Sequence, residues 1–239
     1  MGAGGKGGVG GGGRWGPWSV GFVRIGPDDE RVNLTETRPG LRQIRHTDGW
    51  IFGTMLLSAC LSLTASFVLS IDAVVLAADP QAQLTCNISS VLSCGAVGVS
   101  SQASIFGFPN AFLGLVAEPV VITIAVAGLG GVRFPRWFMF SAQVVYTLGV
   151  IFAYWLFYQS MVHIGALCPW CLLVTLSTTL VFATLLHYNV RENNLFLSPG
   201  AHARALAFIR AGWDGAVVLA WVGAVVVTII LKYGADLLP

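Results

Sequence analysis

"WIFGTMLLSACLSLTASFVLSI", residues 50–71, runs for 22 residues without a charge. A helix of that length spans a bilayer, whose hydrocarbon core takes about 20 apolar residues. Composition agrees. The 239 residues are 55% hydrophobic and only 10% charged, where soluble domains carry about 25% charged residues. This excludes an ordinary soluble domain and points to an integral membrane protein. The net charge of +2 says little about partners, and no nucleic-acid partner is expected. Of the thirteen basic residues only Lys6 and Lys232 are lysine. With abundant Gly and Ala, this hints at a GC-rich bacterial genome.

Working outward from the first run, similar apolar stretches follow at about 110–128, 137–160, 168–187 and 214–231. The fold class expected is therefore an all-α integral membrane protein, a four-helix bundle plus a fifth transmembrane helix. Residues 1–13 are almost all glycine and cannot bury a core, so the arm 1–49 is expected to be largely disordered and cytosolic. The four-helix unit covers 50–190, with a loop at about 72–108 after the first helix. A loop at 191–212 then leads to the fifth helix and a short tail, 213–239.

Arginine sets the orientation. Arg31, Arg38, Arg42 and Arg45 precede the first helix, Arg133 and Arg136 separate the second from the third, and Arg191, Arg204 and Arg210 separate the fourth from the fifth. The loop 72–108 and the turn 160–167 carry no Lys or Arg. The N-terminus is thus expected inside and the C-terminus outside, in a bacterial cytoplasmic membrane. A cleaved signal peptide ending at "VVLAA", 74–78, is the rival reading. It fits poorly, because the apolar run exceeds the usual 7–15 residues and a long arm precedes it.

This topology places four thiols on the oxidising side, where disulfides form and persist. Cys86 and Cys94 lie in the long outer loop; Cys168 and Cys171, in "LCPWC", open the fourth helix. Cys60, midway along the first helix, reads as a small buried hydrophobe. Cys168 and Cys171 stand at i and i+3, neighbours on one helical face. Cys86 and Cys94 would be about 12 Å apart on a straight helix, beyond the roughly 7 Å limit for a disulfide. If they pair, "NISSVLS" between them must fold back. Cys168, at a helix N-terminus, should have a stabilised thiolate, and Pro169 suits the first helical turn. A zinc site, two inert disulfides and a redox relay all remain open from spacing alone.

The order of these elements resembles the vitamin K epoxide reductase family, especially its bacterial members. One helix is followed by Cys-x7-Cys in an outer loop, then "SIFGFPNAFLG" (104–114), then Cys-x-x-Cys opening a later helix. The resemblance covers about residues 50–190. It implies that Cys86 and Cys94 are the loop pair and Cys168 and Cys171 the active-site pair, and that Ser100 matches a loop Ser/Thr of the family pattern. DsbB proteins do the same job with the two pairs in the opposite order. Many bacterial members carry a fused thioredoxin-like domain; this chain ends soon after its fifth helix, so a separate DsbA-like thioredoxin-fold partner is expected. Animal enzymes have a Tyr four residues after the second active-site Cys. Thr175 stands there, and epoxide reduction and animal-type inhibitor sensitivity are not expected.

The resemblance thus implies a thiol oxidoreductase that reoxidises the partner and passes electrons to a membrane quinone, menaquinone in a GC-rich actinobacterium. The partner would attack at an exposed Cys86, and freed Cys94 would attack Cys168, releasing Cys171 toward the quinone. Asn110 would bond a quinone carbonyl or cap the second helix, and Ser100 would orient the loop or the ring. Phe106, Phe108 and Trp170 would wall an apolar pocket, although aromatics also gather at membrane interfaces. Glu118, about 12 Å into the second helix, is either a proton relay or a carboxyl bonded to a neighbouring helix. A non-enzymatic scaffold braced by outer-loop disulfides is the competing class.

Overall fold

The computed structural model describes residues 44–237, with side chains through 234. The reading of the arm before residue 44 lies outside the described residues. Seven α-helices are present among these: α1 Asp48–Ala78, α2 Cys94–Gly98, α3 Ala111–Leu129, α4 Arg136–Gln159, α5 Pro169–Arg191, α6 Pro199–Arg210 and α7 Trp213–Leu237. A short 3-10 turn, Ser101–Ser104, follows α2, and a π-helical turn, Ser160–Ile164, extends α4. Five of these segments are long and apolar enough to cross a membrane: α1, α3, α4 with its π-turn, α5 and α7.

The first helix runs seven residues past the uncharged stretch. Thr47 starts it, its hydroxyl accepting from the Trp50 N–H at 3.3 Å. Residues after Asp72 are helix-forming Ala, Val and Leu, so the helix continues until Asp79, which is extended (φ −142°) before Pro80. Proline disfavours the helical region for the residue before it. Asp72 is thereby carried on α1 rather than in the loop.

Helix α1 is the hub, packing on α3 and α5, while α4 packs on α5. Its buried face is polar and small: Ser58, Ser62, Ser66 and Ser70 recur every four residues beside Ala59 and Ala65. Its exposed face carries Leu57, Leu61, Phe67 and Ile71. Lipid-facing side chains gain nothing by being buried, so close packing of small residues holds such helices together. Two glycines on α3 permit the approach. A Cβ on Gly114 would stand 2.1 Å from Ser66 Oγ, and one on Gly128 would stand 2.6 Å from the Phe52 ring. Phe52 is fully buried and cannot yield. Gly128→Ala is therefore expected to cost about 1–3 kcal/mol through overpacking. A lowered thermal transition in detergent checks this; an unchanged one contradicts the packing.

Apart from Gln143 Nε2, which has no partner, the buried side-chain polar atoms among the described residues are answered internally, as hydrocarbon demands. Thr175 and Thr179 donate to the carbonyls of Cys171 and Thr175, four residues back, at 2.9 and 2.7 Å. Asn189 on α5 bonds Met139 O and Gln143 Oε1 on α4, each at 3.1 Å. At the arginine end of the bundle, Arg191 pairs with Asp48 and Glu192. Asp214 on α7 joins Arg45 at 3.1 Å and His187 at 2.7 Å. At the other end, Lys232 and Tyr233 of α7 donate to Met161 O in the π-turn. The fifth helix is thus pinned at both ends and leaves most of its apolar surface facing outward.

Candidate redox site at the cysteine end of the bundle

The loop between α1 and α3 folds back between its two cysteines. Ile88 and Ser89 N–H both donate to Leu92 O, at 2.8 and 3.1 Å. Ser89 Oγ accepts from Val91 and Leu92 N–H. Asn87 Oδ1 accepts from Ser93 Oγ at 3.1 Å and Gly95 N–H at 2.9 Å. The turn brings the Cys86 and Cys94 Cα atoms to 5.6 Å, and their sulfurs are bonded. The folding-back required of "NISSVLS" is therefore present.

A second set of backbone bonds docks this loop on the other cysteines. Gly165, at φ +75°, ends the π-turn in the left-handed region that favours glycine. The chain then runs beside the loop: Leu167 N–H donates to Val91 O at 2.7 Å, and Ser93 N–H donates to Leu167 O at 3.0 Å. The next residue, Cys168, is the N-cap of α5, with Pro169 in the first turn. Its sulfur accepts from the Cys171 N–H at 3.4 Å. A thiol hydrogen bond from Cys171, aided by the N–H groups of Cys171 and Trp170, holds the Cys168 thiol below its usual range despite burial.

The outcome is a juxtaposition of sulfurs 74 residues apart: Cys168 Sγ lies 3.3 Å from Cys94 Sγ. Cys168 and Cys171 are free thiols in this state, while the loop pair is closed. Cys94 is 3% exposed, Cys168 2% and Cys86 6%. The expectation of an exposed Cys86 is corrected here. It packs with Leu76, Leu84, Cys94 and Cys168 in one apolar cluster, because the loop lies down on the bundle end rather than standing in water. Cys60 is exposed on α1, not buried as expected, since it lies off the serine-lined packing face.

These residues match a family description. The model of the vitamin K epoxide reductase family covers residues 54–186, more than half of the chain. The chain belongs to the vitamin K epoxide reductase family. Among curated proteins, none matches it. Family membership makes this a multi-pass membrane thiol oxidoreductase, from a family whose proteins use quinones.

A cavity of about 270 Å³ opens from the sulfurs into the bundle, between α1, α3, α4, α5 and the loop. Cys94, Cys168 and Cys171 line it, with apolar walls such as Leu76, Val97 and Phe152. Ser100 and Asn110 also line it. The Ser100 hydroxyl donates to Val97 O at 2.6 Å. Asn110 precedes α3 without capping it by its side chain; it donates to Gln102 O at 2.7 Å and accepts from Ile105 N–H at 3.3 Å. One of its two amide N–H groups remains for a ligand. Phe106 and Trp170 are not on the cavity wall. Phe106 is 54% exposed and stacks with Phe108, and Trp170 packs against the cysteine cluster.

Glu118 lies deeper in the same cavity, buried and fully engaged. Ser62 donates to one carboxylate oxygen at 2.8 Å and Tyr146 to the other at 3.0 Å. The carboxyl thus joins α1, α3 and α4, the arrangement of the bonded-carboxyl alternative. Asn87, the Asn of the turn-forming segment "NISSVLS", shapes the loop. Sequence reasoning passed over one residue of the site. Asp72 lines the cavity beside the loop disulfide; the signal was an acid at the outer edge of an uncharged run.

Proposed function

We propose that this protein reoxidises a DsbA-like thioredoxin-fold protein outside the cytoplasm of a bacterium and passes the electrons to a membrane quinone, menaquinone by source. The observation that carries this reading is the 3.3 Å contact between Cys94 and Cys168, one from each thiol pair. Loop bracing alone requires no free thiol beside a closed disulfide. The arginine distribution supports a cytosolic N-terminus, and with it four cysteines on the oxidising side of the cytoplasmic membrane.

The reaction proceeds by exchange between sulfurs. A thiolate of the partner attacks Cys86 and expels the Cys94 thiolate. Cys94 then attacks Cys168 of a closed Cys168–Cys171 pair and expels Cys171 as thiolate. The partner's second thiol releases Cys86 and leaves with a new disulfide. Cys86 attacks Cys94, re-forms the loop disulfide and expels Cys168, whose thiolate the α5 N-terminus stabilises. This yields a closed loop pair beside a Cys168/Cys171 dithiol.

The cavity suits a quinone: it is apolar, touches the Cys168 and Cys171 side chains, and offers a spare N–H from Asn110. A quinone held there would accept two electrons and two protons from the dithiol. The Cys168–Cys171 disulfide closes as they leave. Asn110 would orient the ring and Ser100 would hold the loop over it. Because Cys86 is buried, the partner must first lift the loop, with its Leu84, off Leu76 of α1. The test is purified protein in quinone-containing liposomes with a reduced thioredoxin-fold protein, followed by quinone absorbance. Quinone reduction that depends on Cys171, absent in Cys171→Ala, is expected. Partner oxidation without quinone loss would contradict the reading.

A further inference from the structure

The two sulfurs of the loop disulfide face different neighbours. Cys94 Sγ faces the Cys168 sulfur at 3.3 Å. Cys86 Sγ faces the carboxyl of Asp72, with Oδ2 at 3.7 Å. Asp72 sits on the last two turns of α1, half-buried, on the wall of the same cavity. Among the described residues no cation or N–H donor pairs with it. The other titratable groups on this cavity are the thiols of Cys168 and Cys171 and, deeper, Glu118 and Tyr146, which are bonded to each other. Asp79, farther along the chain, accepts from Gln81 N–H.

This asymmetry has a chemical consequence. When the Cys168 thiolate attacks Cys94, the sulfur that departs with the bonding electrons is Cys86. A thiolate released against an ionised carboxylate is disfavoured by like charge. A protonated carboxyl in the same place is a hydrogen-bond donor aimed at the leaving sulfur. We propose that Asp72 is the general acid–base of the loop disulfide, protonating Cys86 when that bond opens and deprotonating it when it closes. The steps balance: Cys168-S⁻ and Cys86-S–S-Cys94 give Cys94-S–S-Cys168 and Cys86-S⁻, and Cys86-S⁻ with Asp72-COOH gives Cys86-SH and Asp72-COO⁻. Closure is the reverse, with the carboxylate taking the thiol proton so that Cys86 can attack Cys94. This role rests on the relay proposed above and supplies the proton handling that relay needs when the partner's second thiol releases Cys86 and when Cys86 re-closes the loop on Cys94.

The test uses the full chain in detergent, with neither quinone nor partner protein. In a Cys171→Ala background, attack by Cys168 exposes Cys86 as a thiol, which N-ethylmaleimide traps. Peptide mass spectrometry follows Cys86 labelling between pH 5 and 9. Asp72→Asn is expected to slow labelling about 100-fold near neutral pH, the low end of general acid–base catalysis, with the rate recovering as pH rises. Asp72→Glu is expected to restore most of it. A rate in Asp72→Asn equal to or above the parent's across the range overturns the proposal, since a carboxylate that only repels would accelerate exchange when removed. If Asp72→Asn fails to close the loop disulfide, Asp72→Glu decides: near-parental labelling supports the role, and a loss as deep as 100-fold overturns it. Quinone reduction is read separately, so an inert quinone would overturn the proposed function and leave this result standing.

Discussion

Cys168→Ala is expected to cut electron delivery from the partner to quinone to roughly a thousandth or less of the parent rate, the scale of losing a reacting nucleophile. The reason is geometric. Cys168 is the sulfur that touches the loop pair, and in the proposed relay it is also the sulfur that closes on Cys171. Without it Cys94 has no acceptor, because Cys171 belongs to the next turn of α5. The loop disulfide should still form, and partner protein should accumulate in mixed disulfides with Cys86. Non-reducing gels and quinone absorbance check both halves. Rapid quinone reduction by the variant would mean that electrons bypass Cys168.

The second large effect separates the two pairs. Cys94→Ala is expected to lose turnover with the thioredoxin-fold partner by a similar factor. It should keep turnover with a small dithiol such as dithiothreitol. The cavity reaches Cys168 and Cys171 directly, so a small reductant can enter where a folded protein cannot. Equal loss with both donors would mean that Cys94 supports the structure of the site instead of carrying electrons. Equal retention with both would remove the loop pair from the pathway.

Much of this was legible in the sequence because hydrocarbon imposes simple demands. Long uncharged runs identified the spans, and Cys-Pro-Trp-Cys identified a helix start by its proline and its spacing. The fold-back of the loop followed from a distance argument once the resemblance had paired Cys86 with Cys94. The end of α1 was not legible, since the boundary was drawn at a charge, Asp72, when the backbone breaks only before Pro80. The exposure of Cys86 was misread because a loop was equated with solvent, whereas backbone bonds between 91–93 and Leu167 press it onto the bundle. Asn110 does not cap α3 with its side chain; its amide closes the 102–110 turn, a contact that depends on the 3-10 segment preceding α3. The partners of Glu118 lie on two other helices, and spacing within α3 does not reveal them. The clasp of Asp214 with Arg45 and His187 likewise joins residues from three distant segments.

The most direct measurement removes the two outer members of the relay. In a Cys86→Ala, Cys171→Ala protein, mild oxidation should link Cys94 to Cys168 almost completely, as non-reducing peptide mapping would show. Persistent free thiols at both positions, or oxidation products spread over Cys60 as well, would contradict a relay built on that contact.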